Sequence, residues 1–232
     1  MPDAMHVVTP PVEVAVPVYG TDSRFPVRRI YCVGRNYAEH VREMGGDERQ
    51  PPFFFQKPRD AIVLDGDEVP YPPITSDFHH EVELVLAIGR SATEVSLEKA
   101  PEHIFGLAVG IDLTRRDTQL EARNAGRPWE IGKAFDNSAP IGVLHPIGAP
   151  DLSVDREISL RVNGTIRQQG YVSQMIWTPA EIVSRLAGQY RLEPGDLIYT
   201  GTPSGVGPLA VGDVVEARIQ GLTPLTITIV DR

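Results

Sequence analysis

Two glutamates, Glu81 and Glu83, interrupt the otherwise apolar run HHEVELVLAIG at residues 79–89. Side chains alternate between faces in an extended chain, so both carboxylates project from the same side. Val82, Leu84 and Leu86 take the opposite side, and Val85 and Ala87 continue the face of the glutamates. A second apolar run, GLAVGIDLTRRD, brings Asp112 to the end of residues 107–111. Burying such carboxylates without compensation costs several kcal/mol each, so either a positive charge offsets them or the strand end is wet. Two offsets fit the spacing. One is a divalent cation, for which an all-oxygen ligand set suits Mg²⁺ or Mn²⁺ better than Zn²⁺. The other is a set of ion pairs with Arg115, Arg116 or Lys133, and spacing alone leaves both open.

His40 and Glu43 form a second constellation. Three residues apart on a helix, they share a face, and the carboxylate can orient the imidazole as a general base for water. The same pair also fits an incidental surface contact. Asn36 can cap this helix and Gly45-Gly46 can end it. The segment TGTPSGVG lacks the Gly-Lys-Ser/Thr ending of a phosphate-binding loop. It reads either as a tight turn between strands or as a turn aiming N–H groups at a carboxylate or oxyanion. Lys133 in IGKAF and Gln119 in RRDTQ lie in a Gly- and Trp-containing excursion. His79, His80 and His103 read as structural or supporting groups.

The elements that must position these residues are mostly strands. RRIYCVG, PFFFQKP, HHEVELVLAIG, HIFGLAVGIDLT, ISLRVNG and DLIYTG have strand character, and VGDVVEARIQGLTPLTITIV reads as antiparallel strands. TPAEIVSRLAGQY is a helix with Thr178 as cap and Pro179 at its first position. Residues 1–27, rich in Pro and Val, read as an arm or edge strand, and 28–232 as one catalytic domain. The expectation is a β-dominated α+β fold with a few short helices.

Composition narrows the setting. The chain has 232 residues, 41% hydrophobic and 23% charged, enough for one substantial core. A net charge of −9 disfavours nucleic acid or an anionic membrane as main partner, while leaving room for a locally cationic site. Cys32 is the only cysteine, which excludes an intrachain disulfide and a cysteine-built metal site. With no signal-peptide pattern and no apolar stretch of membrane-spanning length, a cytoplasmic protein is expected.

GRNYAEHVREMG, PFFFQKP, HHEVELVLAIG, GLAVGIDLTRRD, RPWEIGKAFDNSAPIG, LRVNG and GDLIYTGTPSGVGPL together resemble, in this order, the fumarylacetoacetate hydrolase family. The likeness runs from about Arg28 to the C-terminus. RIYCVGRNYAEH and RPWEIGKAFD look like its acylpyruvate-cleaving branch, the fumarylpyruvate hydrolases of gentisate breakdown in particular. The resemblance implies a mixed β-sandwich roll, usually a homodimer, with Mg²⁺ or Mn²⁺ held at Glu81, Glu83 and Asp112. It implies catalytic roles for His40, Glu43 and Lys133, and substrate contacts from Arg35, Arg116, Gln119, Lys133 and Thr202. The additional N-terminal domain of larger members has no counterpart in residues 1–27. The implied reaction is hydrolysis of an acylpyruvate, with fumarylpyruvate giving fumarate and pyruvate. Rival readings are decarboxylation of a β-keto acid such as oxaloacetate, an isomerase-decarboxylase, and a non-catalytic metal- or ligand-binding β-module. Charge alone makes Arg123 or Arg127 a candidate contact for a second substrate carboxylate.

Overall fold

The computed structural model describes residues 7–39, 51–147 and 155–232. Two sheets dominate. The larger has six strands in the order His145–Pro146, Ile104–Ile111, Val82–Ile88, Asp196–Tyr199, Arg29–Gly34 and Phe53–Lys57. It is mixed, because Asp196–Tyr199 runs parallel to Arg29–Gly34 and antiparallel to Val82–Ile88. The second has five strands, ordered Thr165–Tyr171, Glu157–Val162, Val214–Ile219, Leu225–Val230 and Glu68–Pro70. The fold is the expected β-dominated α+β type with short helices.

Alternation along the strands decides what each face covers. Leu84, Leu86, Val109 and Ile198 of the six-stranded sheet join Ile158, Leu160, Val215, Ala217, Ile227 and Ile229 of the five-stranded sheet in the larger core. The helix Pro179–Ala187 adds Ile182, Val183 and Leu186 to it. Its N-terminus is fixed by a capping box, in which Glu181 N–H donates to Thr178 Oγ1 and Thr178 N–H to Glu181 Oε2. Val85, Ala87, Ala108 and Tyr199 face the other way, into a second core with Ile141 and Leu144. The strands Ala15–Pro17 and Arg24–Pro26 pair with each other and place Val16 and Phe25 in that second core. The six-stranded sheet is therefore buried on both faces, which explains why Val82–Ile88 carries so few polar side chains.

One local expectation is corrected. HHEVELVLAIG is not one strand: Phe78–His80 pairs with Thr114–Arg115 and Gly207–Pro208 in a small sheet, and Val82–Ile88 belongs to the large one. Glu81 is the junction, and its carbonyl accepts a 2.8 Å bond from Asp112 N–H that ties the two acidic residues together. The helix that Asn36 could cap runs beyond the described residues, and the Asn36 side chain makes long-range bonds. Its Nδ2 donates to Trp177 O at 2.9 Å and Thr200 O at 2.7 Å, and its Oδ1 accepts from Trp177 N–H at 2.7 Å. The side chain is spent on joining three segments, since Asn36 is fully buried and long-range backbone groups need partners there.

The excursion after Asp112 contains two helical segments, Arg116–Asn124 and Glu130–Lys133. Its charged residues are thus held on rigid structure. Among the described residues no helix is long and apolar enough to cross a membrane.

Replacing Asn36 with Ala leaves the buried Thr200 carbonyl and the half-buried backbone groups of Trp177 without these partners. The expected loss is about 2–3 kcal/mol, visible as a lower denaturation midpoint with an unchanged m-value.

Candidate active site

Glu81 leaves the small sheet, Glu83 stands opposite Gly110 in the large one, and Asp112 follows Ile111 at the adjacent strand end. Side-chain oxygens of these three acids lie within 4.8 Å of one another. All three are buried, with 4%, 2% and 1% exposure, so the wet strand end is excluded.

Cations surround the acids. Lys133 Nζ donates to Glu81 Oε2, Asp112 Oδ2 and Thr114 Oγ1, each at 2.7 Å, which uses all its donors. Arg116 bridges Glu81 Oε1 and, at 2.6 Å, Gln119 Oε1. Lys57 Nζ lies 2.9 Å from Asp112 Oδ1 and donates to the backbone carbonyls of Leu113 and Lys133. Among the described residues, Glu83 receives one donor, the backbone Gly201 N–H, 2.7 Å from its Oε2. Arg115, a candidate partner by sequence, turns away: its guanidinium lies 4.2 Å from the Phe135 ring centroid and donates to Ile131 O.

Close backbone approaches make this arrangement possible. A Cβ on Gly132 would sit 2.7 Å from Gln119 Cβ and 2.8 Å from its backbone, so glycine lets the Lys133 turn dock against the Arg116–Asn124 helix. Gly201 has φ +97°, and a Cβ there would meet Asn36 Cβ at 2.7 Å. The turn TGTPSGVG thus aims an N–H at a carboxylate, one of its two sequence readings. Gln168 braces the same region: it accepts from Val82 N–H at 3.1 Å, meets His80 Nδ1 at 2.9 Å, and donates to Thr202 Oγ1 and Pro203 O.

The electrostatics of the cluster follow from burial. Glu83 is pushed well above the usual carboxylate range by burial and then by Asp112 and Glu81, against smaller opposing effects of Lys133 and Gly201 N–H. Burial pulls Lys133 down, but Asp112 and Glu81 outweigh it and the net shift is upward, so the ammonium stays charged. Burial likewise lowers His80 to about 4, leaving a neutral imidazole beside Gln168. The donor set is buried, all oxygen and over-rich in negative charge at Glu83. That fits a hard divalent cation, with Glu81, Glu83 and Asp112 as the residues able to hold it.

These groups open into one pocket. Of the residues singled out by sequence, Arg35, Glu81, Glu83, Asp112, Arg116, Gln119, Lys133 and Thr202 all line it. Phe55, Leu120 and Trp129 supply apolar wall. His40 and Glu43 lie outside the described residues. Sequence reasoning missed Lys57 and Gln168. A signal for Lys57 exists: it ends an aromatic strand, PFFFQKP, where a buried cation demands an acid. Gln168 sits in RQQGY among polar neighbours and carries no comparable signal.

A buried carboxylate cluster suited to a divalent cation lies beside Lys, Arg and Gln on a mixed β fold. Residues 29–230 match the fumarylacetoacetate (FAA) hydrolase C-terminal family model, and the chain belongs to that family. It is a hydrolase acting on carbon–carbon bonds, of the acylpyruvate type. It is 43% identical over 177 residues to fumarylpyruvate hydrolase of a Ralstonia species, covering 76% of this chain and 92% of that protein. It is 39% identical over 197 residues to the mitochondrial oxaloacetate decarboxylase of Dictyostelium discoideum, covering 84% and 90%. Fumarylpyruvate hydrolase from Pseudomonas aeruginosa, crystallised with Mn²⁺ and pyruvate, superposes with a TM-score of 0.95 at 50% identity, covering 98% of this chain and 100% of that one.

The direction of the Glu83 shift sets a pH dependence. A carboxyl raised in the folded state binds its proton more tightly than in the unfolded chain, so apo stability falls as pH rises from the ordinary glutamate value towards the folded one. A divalent cation displaces that proton. The melting temperature should therefore rise on adding Mn²⁺ or Mg²⁺, and the gap between the cation-loaded and cation-free protein should widen with pH across that interval.

Proposed function

We propose that the protein hydrolyses fumarylpyruvate to fumarate and pyruvate, with Mg²⁺ or Mn²⁺ held by Glu81, Glu83 and Asp112. The observation that carries the reading is the buried acid cluster opening, with Lys133, Arg116 and Gln119, into one pocket. Likeness to two fumarylpyruvate hydrolases supports the choice of acyl group.

The cation, when bound, acts as a Lewis acid and template for the α-keto carboxylate end of the substrate. The residues of the chain do the rest. Gln119 and Arg116 orient the α-keto acid end through their amide and guanidinium donors. Lys133, kept charged by Asp112 and Glu81, supplies a proton-bearing ammonium to oxygen that becomes negative during cleavage. His40, oriented by Glu43, takes a proton from water as the water oxygen adds to the acyl carbonyl, the one distal to the α-keto acid. The bond between that carbonyl carbon and the methylene of the pyruvate unit then breaks. Its electron pair passes into the pyruvate enolate, and the proton held by His40 goes to the methylene carbon, which becomes the methyl of pyruvate. Water is consumed, with one carboxylic acid and pyruvate formed.

A decarboxylase reading is favoured by the Dictyostelium relative, because the same acids and lysine would hold oxaloacetate without needing a hydrolytic water. The two readings separate in one assay. With Mn²⁺ present, pyruvate release from fumarylpyruvate should far exceed carbon dioxide release from oxaloacetate. His40→Ala should lower hydrolysis by about 10²–10⁴-fold while Mn²⁺ affinity is retained. Preferential oxaloacetate turnover, untouched by His40→Ala, would transfer the assignment to the decarboxylase.

A further inference from the structure

Gln168 lies on the edge strand Thr165–Tyr171, where it and Gly170 are the two buried residues. The register of that strand against Glu157–Val162 shifts between Leu160 and Arg161, and Leu160 is the partner of Gln168. The turn TGTPSGVG packs closely on the same strand. A Cβ on Gly205 would lie 2.3 Å from Arg167 O, and one on Gly170 would lie 3.1 Å from Pro203 Cβ. Gln168, 1% exposed, thereby meets both the segment that carries the acids and the turn that carries Thr202.

Two backbone groups settle which way the Gln168 amide points. A peptide N–H only donates and a carbonyl only accepts, so the amide oxygen faces Val82 N–H at 3.1 Å and its nitrogen faces Pro203 O at 2.9 Å. The amide oxygen cannot donate, so His80 does, from Nδ1 across 2.9 Å. The amide nitrogen cannot accept, so Thr202 Oγ1 does, across 2.8 Å. All four hydrogen-bonding places of the amide are then used. A hydroxyl carries one proton, and that of Thr202 is left for another acceptor. Among the described residues none is in place for it, and Thr202 lines the pocket of the acid cluster.

We propose that Gln168 is a positioning residue that commits the Thr202 hydroxyl to donate into the pocket, onto an oxygen of the α-keto acid end of the substrate. Thr202 follows Gly201, whose N–H binds Glu83, so this donor stands at the end where the cation-holding acids converge. The inference rests on the acylpyruvate hydrolase reading for the identity of that end, and adds the group that sets the polarity of the contact. The same amide grips Val82 N–H, between Glu81 and Glu83, so donor and acids share one frame. A donor fixed in advance needs no reorganisation when a negative oxygen arrives, and hydrogen bonds to charged groups are the stronger kind. A freely rotating hydroxyl would spend part of its time presenting lone pairs to that oxygen.

Pyruvate, the α-keto acid fragment, is the probe, titrated at saturating Mn²⁺. Gln168→Met removes the amide at similar length, and Thr202→Val removes the hydroxyl at similar shape. In the wild-type background Gln168→Met should weaken pyruvate binding by about 10-fold or more, the scale of a lost hydrogen bond to a charged group. In the Thr202→Val background the same substitution should change it by no more than about 2-fold, because the two residues act as one unit. Thr202→Ser, which keeps the hydroxyl, should bind pyruvate near wild-type strength and stay sensitive to Gln168→Met. A loss by the same factor in both backgrounds would mean general structural damage and overturn the assignment. Neutron diffraction from Mn²⁺-loaded wild type decides the point even if Gln168→Met does not fold. A Thr202 deuteron directed into the pocket upholds the proposal, and one directed at Gln168 refutes it. Failure of Mn²⁺-loaded wild type to bind pyruvate would also refute it. Neither measurement involves turnover, so the predicted coupling in a protein that cleaves no acylpyruvate would remove the hydrolase reading alone.

Discussion

Glu81, Glu83 and Asp112 are buried together at the seam between two sheets, and the surrounding structure is organised by the need to make that tolerable. Each carboxylate in a low-dielectric interior carries a desolvation cost of several kcal/mol unless opposite charge and hydrogen bonds compensate it. Lys133, Arg116 and Lys57 come from three different segments to meet two of the acids. Among the described residues, Glu83 meets a peptide N–H alone, from a turn whose glycine approaches Asn36 too closely for any side chain. The strand break at Glu81, the glycine ahead of Lys133 and the double use of Asn36 all serve that convergence.

The compensation is unequal among the acids, and the inequality is informative. Glu81 and Asp112 are bridged by one ammonium, whereas Glu83 is left with a raised pKa. A fully compensated cluster would be a structural ion-pair network with little reason to take another cation. The remaining negative charge marks the position where a divalent ion adds stability as well as chemistry. Lys133 is poised between two roles, since any substrate oxygen that engages it competes with Glu81 and Asp112 for the same donors. Stability and function thus draw on the same ammonium.

Much of this was legible in the sequence, for physical reasons that differ by residue. The near-continuous apolar run VELVLAI gave the strand, because both its faces are buried, and strand geometry then assigned each residue to a face. Thr178-Pro179 gave a helix start, because capping is a local interaction. Spacing brought Glu81 and Glu83 together, but it offered salt bridges and a cation as alternatives. The structure contains the salt bridges and retains the uncompensated acid, so the alternatives prove compatible. What local pattern could not supply was the long-range partner: Lys57 to Asp112, Gln168 to His80 and Thr202, and Asn36 to Trp177. The break at Glu81 was equally hidden, since a change of sheet alters pairing partners without disturbing hydrophobic alternation.

The central claim is that the acid cluster is a cation site. Anomalous diffraction from crystals soaked in Mn²⁺ addresses it without reference to any substrate. One strong peak is expected, bonded to oxygens of Glu81, Glu83 and Asp112 at about the 2.1 Å of a hard octahedral divalent ion. A peak elsewhere, or none while Lys133 still bridges Glu81 and Asp112, would show that the cluster is an ion-pair network and contradict the account.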